Sequence, residues 1–153
     1  MQVFDWLRRG AIALVACALV ALAPAIAMAE EAVPLNTVDT GYSFAFRSNE
    51  TDGTEWREKD TSSSTYIYVD WIEGYPPRLY VDGAYNASGS GSTNCTNGGS
   101  VRATRGNTQY EIHNGVYELG YSHARITCWG DIGGGSMKGE WSPDCQGNYT
   151  DLN

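Results

Sequence analysis

Basic residues are scarce: ten Lys and Arg stand against eighteen Asp and Glu, for a formal net charge of −8. A surface of that sign repels phosphate polymers and anionic headgroups, which argues against nucleic acid or an anionic membrane surface as a partner. Cysteine is also sparse, four in all, and Cys17 falls in an N-terminal stretch that serves another purpose. Neither His113 nor His123 sits in a cysteine cluster with zinc spacing, so no metal site is expected. No Ser occupies a nucleophile elbow and no Gly-rich run leads from a strand into a helix, which removes the serine-hydrolase and phosphate-cradle signatures. No cofactor is implied. Beyond the N-terminal stretch there is neither a second long hydrophobic run nor a window of apolar residues at helical spacing.

The N-terminal stretch itself has the build of an export signal. Arg8 and Arg9 form a basic start, Gly10 to Ile26 an apolar centre broken by Pro24, and Ala27-Met28-Ala29 a small-residue cleavage site. Residues 1–29 therefore read as a signal peptide, and the rest as a secreted, extracellular protein with no membrane span after cleavage. Residues 30–40 have no periodicity and carry Pro34, the pattern of a flexible N-terminal segment. Residues 41–153 are then long enough for one domain with one core.

Alternation dominates that domain. Tyr42, Phe44 and Phe46 are separated by Ser43 and Ala45, a half-buried strand of period two. Tyr66 to Trp71, and Arg78 to Val81 after the Pro76-Pro77 breaker, read as a strand pair. Ala87 to Ser100 is almost all Gly, Ser, Asn and Thr and reads as a long surface loop. Val101 to Thr104 and Thr108 to His113 flank Arg105-Gly106-Asn107 as a hairpin would. Tyr121 to Trp129, followed by a Gly-rich turn and Met137 to Trp141, reads as another. Many short strands punctuated by glycine predict an all-β, single-domain antiparallel β-sandwich, with a small barrel as the alternative.

Three cysteines beyond the leader permit one internal bridge, with three possible pairings. Cys128 with Cys145 is the expected one, because a tight hairpin between them would bring its ends together, leaving Cys95 as the odd thiol.

The same alternation selects candidate binding residues. With Ala124, Ile126 and Cys128 inward, Tyr121, His123, Arg125 and Trp129 project outward. With Ile67, Val69, Trp71, Leu79 and Val81 inward, Tyr66, Tyr68 and Tyr80 join them. Such a face fits sugars, whose apolar ring faces stack on aromatics while polar groups take the hydroxyls. The same rings also serve as cross-strand pairs in any sheet. A one-residue bulge in Gly133-Gly134-Gly135 would exchange core and outer faces of the last two strands, so both assignments stay open. Glu118, Asp131 and Glu140 are the carboxylates to consider for a glycosidase pair; an acidic surface supplies many such residues, and a non-enzymatic role is expected.

The stretch Trp56-Arg57-Glu58-Lys59-Asp60-Thr61-Ser62-Ser63-Ser64 running into Thr65-Tyr66-Ile67-Tyr68-Val69, the triplet Asn94-Cys95-Thr96 and the ending Gly139-Glu140-Trp141-Ser142-Pro143-Asp144 together resemble small secreted β-rich proteins of Gram-positive bacteria that have no assigned function. The resemblance implies an extracellular β-rich protein and carries over no catalytic residue. In size, export and β character the chain is also similar to lactococcin 972-like bacteriocins. The expected role is binding of extracellular or cell-surface carbohydrate through the exposed aromatics. The alternatives are a bacteriocin-like antagonistic protein and an inhibitor or adhesion module that binds a protein partner through the Ala87 to Ser100 loop.

Overall fold

The structure of the protein is a computed structural model that describes residues 36–153. The leader and the first part of the 30–40 segment lie outside the described residues. Ten strands follow in order: β1 (Thr40–Phe46), β2 (Thr51–Gly53), β3 (Arg57–Glu58), β4 (Thr65–Gly74), β5 (Arg78–Ala84), β6 (Thr93–Asn94), β7 (Thr108–Ile112), β8 (His123–Trp129), β9 (Gly135–Ser142) and β10 (Thr150–Asp151). They form two packed sheets with no helix among the described residues, a β-sandwich. The first sheet runs β1-β9-β4-β7-β10 and the second β2-β8-β5-β6, with β3 also paired to β8.

Alternate residues of the longer strands fill the space between the sheets, as the period-two pattern requires. Phe44 and Phe46 of β1, Ile67 and Val69 of β4, Ile112 of β7 and Met137 and Trp141 of β9 meet Leu79 and Val81 of β5 and Ala124, Ile126 and Cys128 of β8. Burying each of the larger side chains stabilises the fold by about 1.5–3 kcal/mol. Trp71 departs from its expected inward place and is 42% exposed. The register of β4 on β9 shifts between Val69 and Trp71, so Asp70 is an extra residue that flips the strand, and Ile72 turns back inward. Gly139 makes room for this bulge, since a Cβ there would overlap the Tyr68 carbonyl oxygen.

Partner choice departs from expectation more than strand position does. β4 and β5 belong to different sheets, and the Pro76-Pro77 segment carries the chain between them. Val101 bridges Leu79 while β7 pairs with β4, so Arg105-Gly106-Asn107 is a crossover and not a hairpin turn. β8 and β9 likewise lie in opposite sheets, each at an interior position.

That last finding corrects the expected Cys128–Cys145 bridge. All three described cysteines are free thiols. Cys128 points into the core from β8, whereas Cys145 follows the end of β9 with its thiol 3.8 Å from Glu111 Oε2, so no hairpin brings them together. Burial pushes the Cys128 thiol up to about 12, helped by Asp52, and the Cys145 thiol up to about 11, helped by Glu111.

A buried ion pair locks the sandwich at one end. Lys59 Nζ donates to the carbonyls of Ser63 at 2.6 Å and Pro143 at 2.8 Å and to Asp144 Oδ1 at 3.2 Å. Asp144 also accepts from the backbone N–H of Asn36, Asp60 and Thr61 and from the hydroxyls of Thr61 and Ser63. Asn36, the start of the described chain, is thus tied down: its side-chain amide donates to Glu58 O and accepts from Arg57. The stretches around Lys59 and Asp144 that carry the sequence resemblance therefore meet in this latch. The third, Asn94-Cys95-Thr96, is anchored as well, with Cys95 N donating to Val81 O and Val81 N donating to the Thr96 hydroxyl.

Candidate binding faces of the sandwich

The expected aromatic face is two faces, because the strands that carry it belong to two sheets. Tyr66 and Tyr68 lie on the outer face of the first sheet. Tyr80, His123, Arg125 and Trp129 lie on the outer face of the second, on the neighbouring strands β5 and β8. Tyr121 belongs to neither. It precedes β8, its ring is 4.8 Å from that of Tyr85, and it packs against the bare backbone of Gly83.

On the first sheet, Tyr66 is buried beneath the C-terminal segment, with the Tyr149 ring 4.8 Å away and Gln109 Nε2 donating to its hydroxyl at 3.1 Å. Tyr68, one residue pair along, stays half-exposed and donates to Asn107 Oδ1 at 2.9 Å. The two tyrosines therefore part in role: Tyr66 holds β10 and its flank against the sheet, and Tyr68 opens onto a groove. That groove has a volume of about 780 Å³ and is lined by Tyr68, Asn107, Thr108, Gln109, Asn148, Tyr149 and Thr150. Every lining side chain is an amide, a hydroxyl or a phenol. The charged residues in register with the groove are acidic: Glu140 stands opposite Tyr68 on β9, Glu111 opposite Tyr66 on β7, and Asp151 follows Thr150, while Lys138, farther along β9, is paired with Asp70.

The outer face of the second sheet is built from ion pairs and rings. Register places Arg78 beside Trp129, Tyr80 beside Thr127 and Asp82 beside Arg125. Thr127 Oγ1 donates to Asp82 Oδ2 at 2.6 Å, and the Arg125 guanidinium lies over the Trp56 ring at 4.7 Å. Arg125 Nε is 3.5 Å from Asp82 Oδ2 and makes no hydrogen bond. At the end of the face, Arg78 Nε donates to Asp131 Oδ2 at 2.7 Å and Arg102 Nη2 donates to the same oxygen. Burial alone would raise the Asp131 carboxyl, but the hydrogen bonds from Arg78 and Arg102 outweigh it and hold it below the ordinary range. His123 closes the row at the other end, its Nδ1 2.9 Å from the Ser122 hydroxyl.

The carboxylates considered for a glycosidase pair are dispersed. Asp131 is engaged by two arginines on the second sheet, Glu140 faces out from the first, and Glu118 sits in the exposed turn before β8. The histidines are equally apart. His113, at the end of β7, meets Ser64 Oγ at 2.7 Å and Asp151 at 3.3 Å, while His123 is in the other sheet. Among the described residues, no group of three His, Cys, Asp or Glu is placed to hold a metal ion. Of the groove lining only Tyr68 was among the residues expected from sequence, and Arg78, Arg102 and Trp56 of the other sheet were missed as well. Trp56 and Tyr149 come from segments with no strand pattern to assign their direction, whereas Arg102 lies in a stretch that reads as a hairpin arm but pairs only through Val101.

The family described as "Protein of unknown function (DUF2712)" matches residues 25–145. No curated protein and no solved structure matches the chain.

Proposed function

The chain belongs to the DUF2712 family, whose description assigns no activity, and we propose from its own surface that it is a secreted, non-enzymatic protein binding neutral carbohydrate in the groove of the first sheet. The observation that carries this reading is the chemistry of the lining: seven residues, two of them tyrosines, and no charge among them. Amides and hydroxyls both donate and accept, as a sugar's hydroxyls do, and tyrosine rings cover the apolar face of a pyranose. The volume lies within the roughly 300–1,000 Å³ of small-ligand sites. The acidic neighbours favour a neutral ligand over an anionic one. Export, read from the leader, would put the groove among extracellular and cell-surface glycans.

The protein-partner reading through the Ala87 to Ser100 loop has less support. That segment carries β6 and is pinned to the sheet at Cys95 and Thr96, which divides its exposed part into two short stretches, 87–94 and 97–99.

The test is a calorimetric titration of the purified protein with neutral cell-wall oligosaccharides, beside Tyr68→Ala and Asn107→Ala. The expected result is saturable binding that weakens about tenfold, about 1.4 kcal/mol, in Tyr68→Ala while the thermal midpoint holds. Absence of binding by the folded wild type, or binding indifferent to both substitutions, would overturn it.

A further inference from the structure

The second sheet carries chemistry of the opposite kind. We propose that Arg78 and Arg102, held side by side on Asp131, form a binding site for an oxyanion, the carboxylate or phosphate of an acidic glycan or polyol polymer. The site is on the other face of the sandwich from the neutral groove and does not depend on the reading given to that groove.

The first support is charge. Of the eight basic residues beyond the leader, three, Arg78, Arg102 and Arg125, lie on this face, and Arg78 and Arg102 share the single carboxylate of Asp131, while Asp82 lies beside Arg125 and Glu58 stands at the far His123 end, in a chain that is otherwise strongly acidic. Concentrating arginine in one place on an acidic protein gives that place a local field opposite to the rest.

The second is geometry. Both guanidiniums converge on one carboxylate oxygen, Asp131 Oδ2, so they stand together with one positive charge unneutralised. Arg78 spends Nε on Asp131 and Nη1 on the Ser100 hydroxyl at 2.9 Å, and its Nη2 has no protein partner among the described residues. Arg102 spends Nη2 on Asp131 and Nη1 on the Pro76 carbonyl, leaving Nε without one among the same residues. The Asp131 side chain is 8% exposed, against 43% for Arg78 and 24% for Arg102. The carboxylate is thus the support beneath and the guanidiniums are the surface. An Arg–Asp–Arg staple joining β5, the segment before β7 and the β8–β9 connection would account for the buried bonds, but it leaves Arg78 Nη2 and Arg102 Nε unused on part-exposed side chains. Guanidinium forks take carboxylate and phosphate oxygens in pairs.

The third is the surroundings. Arg102 lies over the Tyr75 ring at 5.2 Å, Tyr75 is 44% exposed, and Trp129 is the register partner of Arg78. These rings offer an apolar flank to whatever carries the oxyanion, while Asp82, the nearer of the other carboxylates on this face, is occupied by Thr127 and Arg125, and Glu58 lies at the opposite end beside His123.

The experiment titrates the full chain at low ionic strength with an oligogalacturonate, a glycerol-phosphate oligomer and a neutral oligosaccharide of equal length. It repeats each titration on Arg78→Gln, on Arg78→Lys, and on Arg105→Gln as a surface-charge control. Expected is saturable binding of at least one acidic oligomer, weakened tenfold or more in Arg78→Gln and unchanged in Arg105→Gln. Which oligomer binds identifies the oxyanion as carboxylate or phosphate. Arg78→Lys keeps a cation on Asp131 but removes the fork, so it supplies a folded variant if Arg78→Gln does not fold, and it too should bind at least severalfold more weakly. Binding of neither acidic oligomer, or equal weakening in Arg78→Gln and Arg105→Gln, would overturn the proposal.

Discussion

At the scale of single residues, Asp144 carries more of the fold than any other polar side chain described here, because six donors from two distant stretches of chain, Asn36 and residues 59–63, end on its two oxygens. Burial alone would raise its pKa, but the N–H groups of Asp60 and Asn36, the Lys59 ammonium and the Thr61 hydroxyl outweigh that and hold it low. Burial lowers Lys59, with Asp144 opposing the shift. Removing one member of a buried pair strands the other, at a cost of about 3–5 kcal/mol. The two members are not equivalent. Asp144→Ala leaves Lys59 and three backbone N–H groups without their acceptor, whereas Lys59→Met leaves Asp144 with five donors. Urea unfolding should therefore show a loss of about 3–5 kcal/mol for Asp144→Ala and a smaller one for Lys59→Met. The pH dependence has a fixed sign. A carboxylate whose folded pKa lies below its unfolded value of 3.8 stabilises the protein fully above that value. Its contribution fades as pH falls from there through the folded pKa. The stability gap between wild type and Asp144→Ala should accordingly narrow between pH 7 and pH 3. The thiols give a separate expectation. Cys128 is wholly buried, with its pKa at about 12, so iodoacetamide should modify it only after unfolding. The intact mass of the native protein should equal that of the fully reduced chain, and a loss of two hydrogens would reveal a bridge.

At the scale of elements, the strands and their inward faces were legible because alternation is a local property. Tyr42, Phe44 and Phe46, or Ala124, Ile126 and Cys128, name their own side of a sheet without reference to any partner. Pairing is not local. Two strands joined by a short polar turn read as a hairpin, yet the chain crosses from one sheet to the other at Pro76-Pro77, at Arg105-Gly106-Asn107 and before Gly135. In a sandwich such crossings are common, and nothing in a short turn records which sheet the next strand will join. The candidate site divided for that reason. Outward residues were correctly read as outward on β5 and β8, but Tyr66 and Tyr68 faced out from the other sheet. Trp71 was misplaced by a bulge whose signal lies far along the chain in Gly139, the residue that leaves space for it. Gly139→Ala tests that account. A methyl group there must displace the backbone of β4, since the atom it meets is a carbonyl oxygen and not the end of a flexible side chain. Overpacking of this kind costs about 1–3 kcal/mol. Thermal unfolding should show the loss, and amide exchange should quicken along β4 and β9 before it does along β5 and β8. A neutral result would mean that the bulge does not depend on glycine.

At the scale of the whole molecule, the two outer faces differ in the physics they offer a ligand. The first sheet presents a neutral groove of hydroxyls, amides and tyrosine rings bordered by Glu140, Glu111 and Asp151. The second presents arginines over carboxylates, with Trp129, Trp56 and Tyr75 between and beside them. A polymer with neutral and acidic stretches could engage both only by passing around the sandwich or by joining two molecules of it, so the two proposed sites should act independently. Salt separates them. Screening shortens the reach of exposed charges from about 10 Å at 0.1 M to about 3 Å at 1 M and leaves stacking and neutral hydrogen bonds nearly untouched. Binding of an acidic oligomer to the Arg78 and Arg102 face should therefore weaken steeply as sodium chloride rises from about 0.05 M to about 0.5 M. Binding of a neutral oligosaccharide to the Tyr68 groove should change less than twofold over the same range. Titrations of wild type, Arg78→Gln and Tyr68→Ala across that series assign each response to its face. If neutral and acidic ligands lost affinity in parallel, or if Tyr68→Ala abolished both, the two faces would not be independent, and a single charged site would have to explain both activities.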